Sequence, residues 1–113
     1  MRERRQVPRY VAELHCEVSQ PPGATPHHVK LVNLSVLGCS VEGADALQAK
    51  QDCEIAFEWG GHQFRAEATV TWKSSRGEAG LKFLSMDPAH QDVLRKLCAN
   101  LRPLPLGRLP DAP

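Results

Sequence analysis

The sequence predicts a small, mainly β domain, either a barrel or a sandwich, that is closed by one amphipathic helix. Three observations indicate this fold: apolar and polar residues alternate with period two in several segments, short turn signals separate those segments, and one late segment shows the spacing of an amphipathic helix. The chain has 113 residues, of which 42% are hydrophobic and 24% charged. These values are typical of one globular domain with a single core.

Six strands are predicted from the alternation, because successive side chains of a strand point to opposite faces. They cover residues 10–19, 27–32, 39–42, 52–59, 64–73 and 79–83. Gly60-Gly61 is a hairpin turn, since glycine tolerates positive φ at both turn positions. Residues 33–38 are a polar turn, and residues 43–51 are a connection with room for a helical turn. Strand parity assigns five aromatic side chains to the core: Phe57, Trp59, Phe64, Trp72 and Phe83.

A helix over residues 87–101 ends the domain, which spans residues 1–101 with its strands within 10–84. Asp87 suits the N-cap and Pro88 the first helical position. The apolar side chains that follow have the three/four spacing of a helix docked on an apolar surface. Four prolines lie between residues 103 and 113. Residues 102–113 are therefore predicted to be a flexible or polyproline-like tail, neither helix nor sheet.

Several function classes are disfavoured by the sequence. No apolar run is long enough to span a membrane, and no apolar segment of a secretory signal follows the N-terminal arginines, so we expect a cytoplasmic protein. The four cysteines are scattered without metal-site spacing, so no metal and no cofactor are expected. No nucleophile motif or phosphate-binding glycine loop is present, and the strand glutamates alternate with core residues, as on a solvated face. We therefore expect no enzyme activity and no catalytic residues.

Arginines are concentrated at the start of the chain, although the net charge is only +1. Arg2, Arg4, Arg5 and Arg9 are opposed there only by Glu3. A guanidinium fork fits phosphates and the O6/N7 edge of guanine with two hydrogen bonds. The segment is thus either a solvated basic tail or one half of an anion site.

A second polar cluster lies in the turn Asn33-Leu34-Ser35-Val36-Leu37-Gly38. Asn33 and Ser35 occupy alternate positions, so in an extended segment their hydrogen-bonding side chains point the same way. Gly38 can supply positive φ or allow a ligand to approach the backbone closely. The alternative is an ordinary turn, in which Asn, Ser and Gly are common.

The two clusters together resemble the signature of the PilZ domain family. Arg5-x-x-x-Arg9 is similar to the RxxxR motif of that family, and Asn33-x-Ser35-x-x-Gly38 is similar to its [Asp/Asn]-x-Ser-x-x-Gly motif. The resemblance covers roughly residues 3 to 101 and includes the closing helix. It implies a six-stranded antiparallel β-barrel of the PilZ type, a split barrel with a C-terminal amphipathic α-helix. It also implies a bacterial receptor for the second messenger cyclic di-GMP.

The resemblance further implies the ligand-binding residues. Arg5 and Arg9 would clamp guanine edges and phosphates, Asn33 and Ser35 would hydrogen-bond the nucleotide, and Gly38 would keep the surface open. Residues 1–9 would be a flexible clamp that becomes ordered on ligand binding and signals to an effector protein of the motility, secretion or exopolysaccharide machinery. Arg4, beside Arg5, would help to hold a second nucleotide.

Two other functions compete with this hypothesis. One is a small barrel that binds nucleic acid through a basic groove with exposed aromatic side chains. The near-neutral charge and the core parity of the aromatic residues argue against it. The other is a ligand-independent adaptor that works through protein partners alone, and the complete motifs argue against that function.

Overall fold

The computed structural model describes residues 9–103. In chain order the elements are β1 (Tyr10–Ser19), β2 (His27–Leu34), β3 (Gly38–Glu42), β4 (Asp52–Trp59), β5 (His62–Lys73), β6 (Ala79–Ser85), α1 (Pro88–Ala99) and β7 (Arg102–Pro103). The predicted fold class is confirmed: six antiparallel strands form a closed barrel, and one helix follows them.

β1 closes the barrel because it pairs on both of its sides. The strands run in the order β2-β3-β6-β5-β4-β1, and β1 then pairs with β2 to complete the circle. Pairing with β4 involves only the second half of β1, from Cys16 onward, so the two strands are not paired along the first half. At that open end the first residues of β1 pair instead with β7, Tyr10 with Pro103 and Val11 with Arg102. Both ends of the described chain therefore lie side by side.

The core lies inside the barrel and beneath the helix. Apolar side chains of all six barrel strands and of α1 are buried there; the largest fully buried ones include Phe64, Leu31, Leu34, Leu47, Ile55 and Leu97. Phe57 and Phe64 stack with their ring centroids 4.7 Å apart, and His90 of α1 meets Phe64 edge-on. The backbone N–H of Arg65 also donates to His90 Nδ1 at 3.0 Å, so α1 is held on β5 by both apolar and polar contacts.

The predicted boundaries differ from the structure in several places. β2 continues through Asn33 and Leu34, which were predicted to lie in the turn, because both residues pair with β1 and β3. The connection over residues 43–51 contains turns but no helix. It is anchored instead by Lys73, whose Nζ donates to the carbonyl oxygens of Asp45 and Leu47.

The ends of the helical region also differ slightly from the prediction. Asp87 is the N-cap and Pro88 begins the helix, although the Asp87 carboxylate makes no capping hydrogen bond. The helix ends at Ala99, and Asn100 is its C-cap. Arg102–Pro103, predicted to belong to an irregular tail, form β7, because the unpaired start of β1 offers them a strand edge. Residues 104–113, the rest of the predicted tail, lie outside the described residues, as do residues 1–8.

The prediction that Trp72 belongs to the core is wrong. Its side chain is 45% exposed. The pairing of β5 with β6 shifts between Val70 and Trp72, so that two steps along β5 match one step along β6. Such a bulge reverses the inward and outward alternation beyond it. Val70 therefore remains buried, whereas Trp72 lies on the outer surface.

Residues 9–103 contain neither a membrane-spanning helix nor a metal-binding cluster. No helix in this part of the chain is long and apolar enough to cross a membrane. The same residues contain no group of three or more His, Cys, Asp or Glu side chains that could hold a metal ion.

Candidate functional site

Arg9 and Asn33 are brought together by the pairing of β1 with β2. Arg9 immediately precedes β1, and Asn33 lies near the end of β2, where it pairs with Val11. Because the two strands are antiparallel, the start of one meets the end of the other. Arg9 Nη1 donates to Asn33 Oδ1 at 3.1 Å across 24 residues of sequence. The two sequence motifs therefore meet in space at this hydrogen bond.

Ser35 lies beside them, but its hydroxyl is used within the turn. Its Oγ accepts hydrogen bonds from the backbone N–H groups of Leu37 (3.1 Å) and Gly38 (3.2 Å), and it donates to the carbonyl oxygen of Gly38 at 3.4 Å. One donor and two acceptor positions are the full capacity of a hydroxyl. Only 6% of the side chain is exposed. In this structure Ser35 thus fixes the shape of the turn, as Ser commonly does in such positions.

Gly38 is needed for space, and not for a left-handed backbone. Its φ is not positive, unlike that of five of the other glycines within residues 9–103. A Cβ built on Gly38 would overlap the carbonyl oxygen of Leu81 and lie 3.2 Å from Lys82 Cα. The backbone of β6 therefore packs directly against Gly38, where even a methyl group does not fit.

Arg9, Ser35 and Gly38 line a cavity of about 510 Å³ on the outside of the barrel, whereas Asn33 contacts Arg9 without lining the cavity itself. Its walls include Arg9, Ser35, Leu37, Gly38, Trp72 and Lys82. The volume falls within the range of roughly 300–1,000 Å³ that is common for small-molecule sites. Among residues 9–103, two cationic side chains line this cavity and no acidic side chain does. The cavity is thus electrostatically suited to an anion.

Trp72 is the site residue that strand parity missed. Its indole lies directly over Gly80, where a Cβ would overlap the indole Nε1. Among the Phe, Tyr and Trp side chains of residues 9–103, that of Trp72 is the most exposed. The signal in the sequence is Gly80 itself, because a glycine inside a strand often marks the close approach of another group.

A second cavity, of about 270 Å³, opens where β1 and β4 are not paired. It is lined by Arg65 together with Glu17, Glu58, His15 and His28. The two carboxylates repel an anion, and Arg65 is already paired with Glu54 at 3.3 Å. We therefore assign the candidate site to the larger cavity beside Arg9.

No described cysteine resembles an activated nucleophile. Burial raises the pKa of the Cys39 thiol, which lines the larger cavity, well above its ordinary value, and the nearby Cys16 and Cys53 raise it further. The positive charge of Arg9 opposes these effects and is the smallest of them. A thiol with a raised pKa stays protonated and unreactive at neutral pH.

Comparison with protein families agrees with the geometry. The model of the PilZ domain matches residues 3–100. The chain belongs to the PilZ domain family. PilZ domains are effector domains that bind cyclic di-GMP as a ligand and are not enzymes, so the expectation that the chain is not an enzyme is confirmed. The match includes Arg4 and Arg5, which lie outside the described residues.

Solved structures show the same fold at low sequence identity. The PilZ domain of YcgR from Escherichia coli, solved with c-di-GMP, has a TM-score of 0.70 and 17% identity over 88% of this chain and 92% of that one. The MotI/DgrA inhibitor of motility from Bacillus subtilis has a TM-score of 0.69 and 22% identity over 87% of this chain.

The chain spans only 51% of the MotI structure. The PilZ domain of CeSA from a cellulose-synthesizing bacterium has a TM-score of 0.66 and 16% identity, over 80% of this chain and 94% of that one. No curated protein matches the sequence.

Proposed function

We propose that this PilZ domain is a receptor for cyclic di-GMP that passes the signal to a protein partner. The observation that carries the proposal is the hydrogen bond between Arg9 and Asn33 at the edge of a cavity whose described lining includes two cations and no acidic side chain. It joins the two family motifs at a surface suited to an anion. The PilZ domain of YcgR, which has this fold, was solved with the same nucleotide.

The chemistry of the cavity fits a dianion that carries two guanines. The guanidinium of Arg9 is a rigid fork of N–H donors that matches a phosphate or the O6/N7 edge of guanine, and its hydrogen bond to Asn33 orients the fork. The Asn33 side chain, which contacts Arg9 beside the cavity, can donate through Nδ2. Trp72 offers an exposed indole on which a guanine can stack.

The roles of the residues before Arg9 form the finer part of the proposal. Arg5 would complete the clamp with Arg9, and ligand binding would order residues 1–9 over the cavity. A change of this kind is driven by contacts that exist only with ligand present. The ordered segment would be read by an effector protein of the motility, secretion or exopolysaccharide machinery in the cytoplasm. Arg4 would help to hold a second nucleotide.

The test is calorimetric titration of the purified chain with cyclic di-GMP. Arg5→Ala and Arg9→Ala should each weaken binding at least about tenfold, because a charge-assisted hydrogen bond contributes about 1.5–3 kcal/mol. Arg76→Ala is the matched control, since Arg76 is exposed and does not line the cavity. Absence of binding to the unaltered chain would refute the receptor function, whereas unchanged affinity in both arginine variants would refute only the clamp.

Two further measurements address the finer proposals. Hydrogen exchange of the backbone amides before Arg9 should slow when ligand is added, and equal exchange rates would contradict ordering. The titration should saturate at two nucleotides per chain, and saturation at one would exclude the role of Arg4 in a nucleotide dimer.

The exposure of Trp72 beside Arg9 gives some support to a nucleic-acid-binding function. Single-strand binders, however, use several stacking side chains along a groove, and residues 9–103 expose only this one. We therefore expect no mobility shift of single-stranded RNA. A shift that salt competes and cyclic di-GMP does not would favour the nucleic-acid function.

A further inference from the structure

The five lysines of the chain differ in what they contact, and all five lie within residues 9–103. Lys30 and Lys96 pair with Glu13 and Asp92 at 3.9 and 3.0 Å. Lys73 donates to two carbonyl oxygens of the β3–β4 connection. Within the described part of the chain, neither Lys50 nor Lys82 has an acidic group within 4.0 Å or a hydrogen-bonding partner for its Nζ.

Lys82 differs from Lys50 in its position. It lies on β6 directly opposite Gly38 of β3, and its side chain is exposed on the outer face of the barrel. It lines the same cavity as Arg9, whereas Lys50 lies in the β3–β4 connection and does not line it. The backbone of β6 packs closely against Gly38, and Lys82, which pairs with Gly38, lies next to the turn that carries the family motif.

We propose that Lys82 is a further ligand-binding residue that contacts a phosphate of the bound cyclic dinucleotide. The inference rests on the proposed receptor function and adds a residue outside both sequence motifs. An ammonium group is a compact point charge with three rotatable donors, which suits a phosphodiester oxygen. A guanidinium has a planar fork that matches a guanine edge. Lys82 thus supplies charge, while Arg9 supplies directional recognition.

The phosphates of a cyclic dinucleotide carry its whole negative charge, and none of the described residues that line the cavity is acidic. Lys82 also starts without a competing carboxylate among the described residues, so binding a phosphate costs no existing ion pair. Its ammonium remains solvated, however, and salt screens an exposed charge strongly. The contribution of Lys82 should therefore depend on salt.

The experiment is titration with cyclic di-GMP of the unaltered chain, Lys82→Gln, Lys82→Arg and the control Lys50→Gln. At an ionic strength of about 0.05 M, Lys82→Gln should weaken binding about five- to tenfold, and the difference should shrink to about twofold at 0.5 M. Lys82→Arg should retain affinity within about threefold because it keeps the charge. Lys50→Gln should bind like the unaltered chain.

The outcomes separate the inference from the function on which it rests. Normal affinity of Lys82→Gln at low salt, together with a loss in Arg9→Ala, would overturn the inference and leave the receptor function in place. A loss in Lys82→Gln that is independent of salt, or that Lys82→Arg does not rescue, would indicate a structural role and would also overturn it. Absence of binding to the unaltered chain would overturn both.

Discussion

Replacing Gly38 by alanine tests whether close packing of β3 on β6 shapes the candidate site. The new Cβ would overlap the Leu81 carbonyl oxygen and lie 3.2 Å from Lys82 Cα, so the strands must separate by roughly 1 Å. One backbone hydrogen bond depends directly on this approach: Phe83 N–H of β6 donates to the carbonyl oxygen of Leu37, just before β3, at 2.8 Å. Forcing a methyl group into this close packing, with the weakening of that hydrogen bond, should cost about 1–3 kcal/mol of unfolding free energy.

Gly80→Ala is the matched control because it adds the same methyl group to the neighbouring strand. There the Cβ meets the indole of Trp72, a side chain that is 45% exposed and can rotate away. We expect a loss below about 1 kcal/mol, together with a change in tryptophan fluorescence as the indole moves.

Urea denaturation followed by circular dichroism measures both variants. With a slope of about 1–3 kcal/mol/M, the midpoint of Gly38→Ala should fall by about 1 M. The reasoning would be refuted if both variants lost the same unfolding free energy, or if the Gly38→Ala midpoint equalled that of the unaltered chain. Either result would show that the β6 backbone at Gly38 yields as easily as the Trp72 side chain at Gly80.

Two more predictions follow from buried groups. Ser35→Ala leaves the N–H groups of Leu37 and Gly38 without their acceptor, so unfolding free energy should fall by about 1–3 kcal/mol and the melting temperature by several degrees; an unchanged melting curve would contradict the role of Ser35 in the turn. Burial raises the pKa of Cys16 to about 12 and those of Cys53 and Cys98 to about 11, above an unfolded value of about 8.5. Because the folded values are raised, this stabilisation is complete below about pH 8.5 and is lost as the pH rises toward 11–12, which urea unfolding at several pH values should show. The native thiols should also resist a thiol-reactive disulfide at about pH 8, and rapid reaction would contradict their burial.

The fold could be predicted largely from alternation, because a barrel strand with one buried face leaves a clear period of two. β1 begins and ends where that pattern does. The prediction failed at Trp72, since a bulge reverses the parity and depends on how β5 pairs with β6. It also failed at Arg102–Pro103, because β7 forms only where the barrel leaves the start of β1 unpaired.

The candidate site was predictable only in part, because its contacts depend on which strands pair. Local spacing and the family resemblance identified Arg9 and Asn33, and their contact follows from the β1–β2 register. The sequence could not show that the Ser35 hydroxyl bonds its own turn. Nor could it distinguish Lys82 from other exposed lysines, because only the pairing of β3 with β6 brings it to the cavity.

The pairing of β1 with β7 has a consequence for how a signal can leave the domain. Arg9 lines the cavity, and the next residue, Tyr10, pairs with Pro103, which lies just beyond the helix. The first and last described residues are thus joined by a short antiparallel pairing beside the candidate ligand site. On the proposed function, a shift of Arg9 caused by a bound nucleotide would pass directly to the Tyr10–Pro103 pair. A protein attached to either end of the domain, covalently or by docking, would be held next to this β1–β7 pairing and to Arg9.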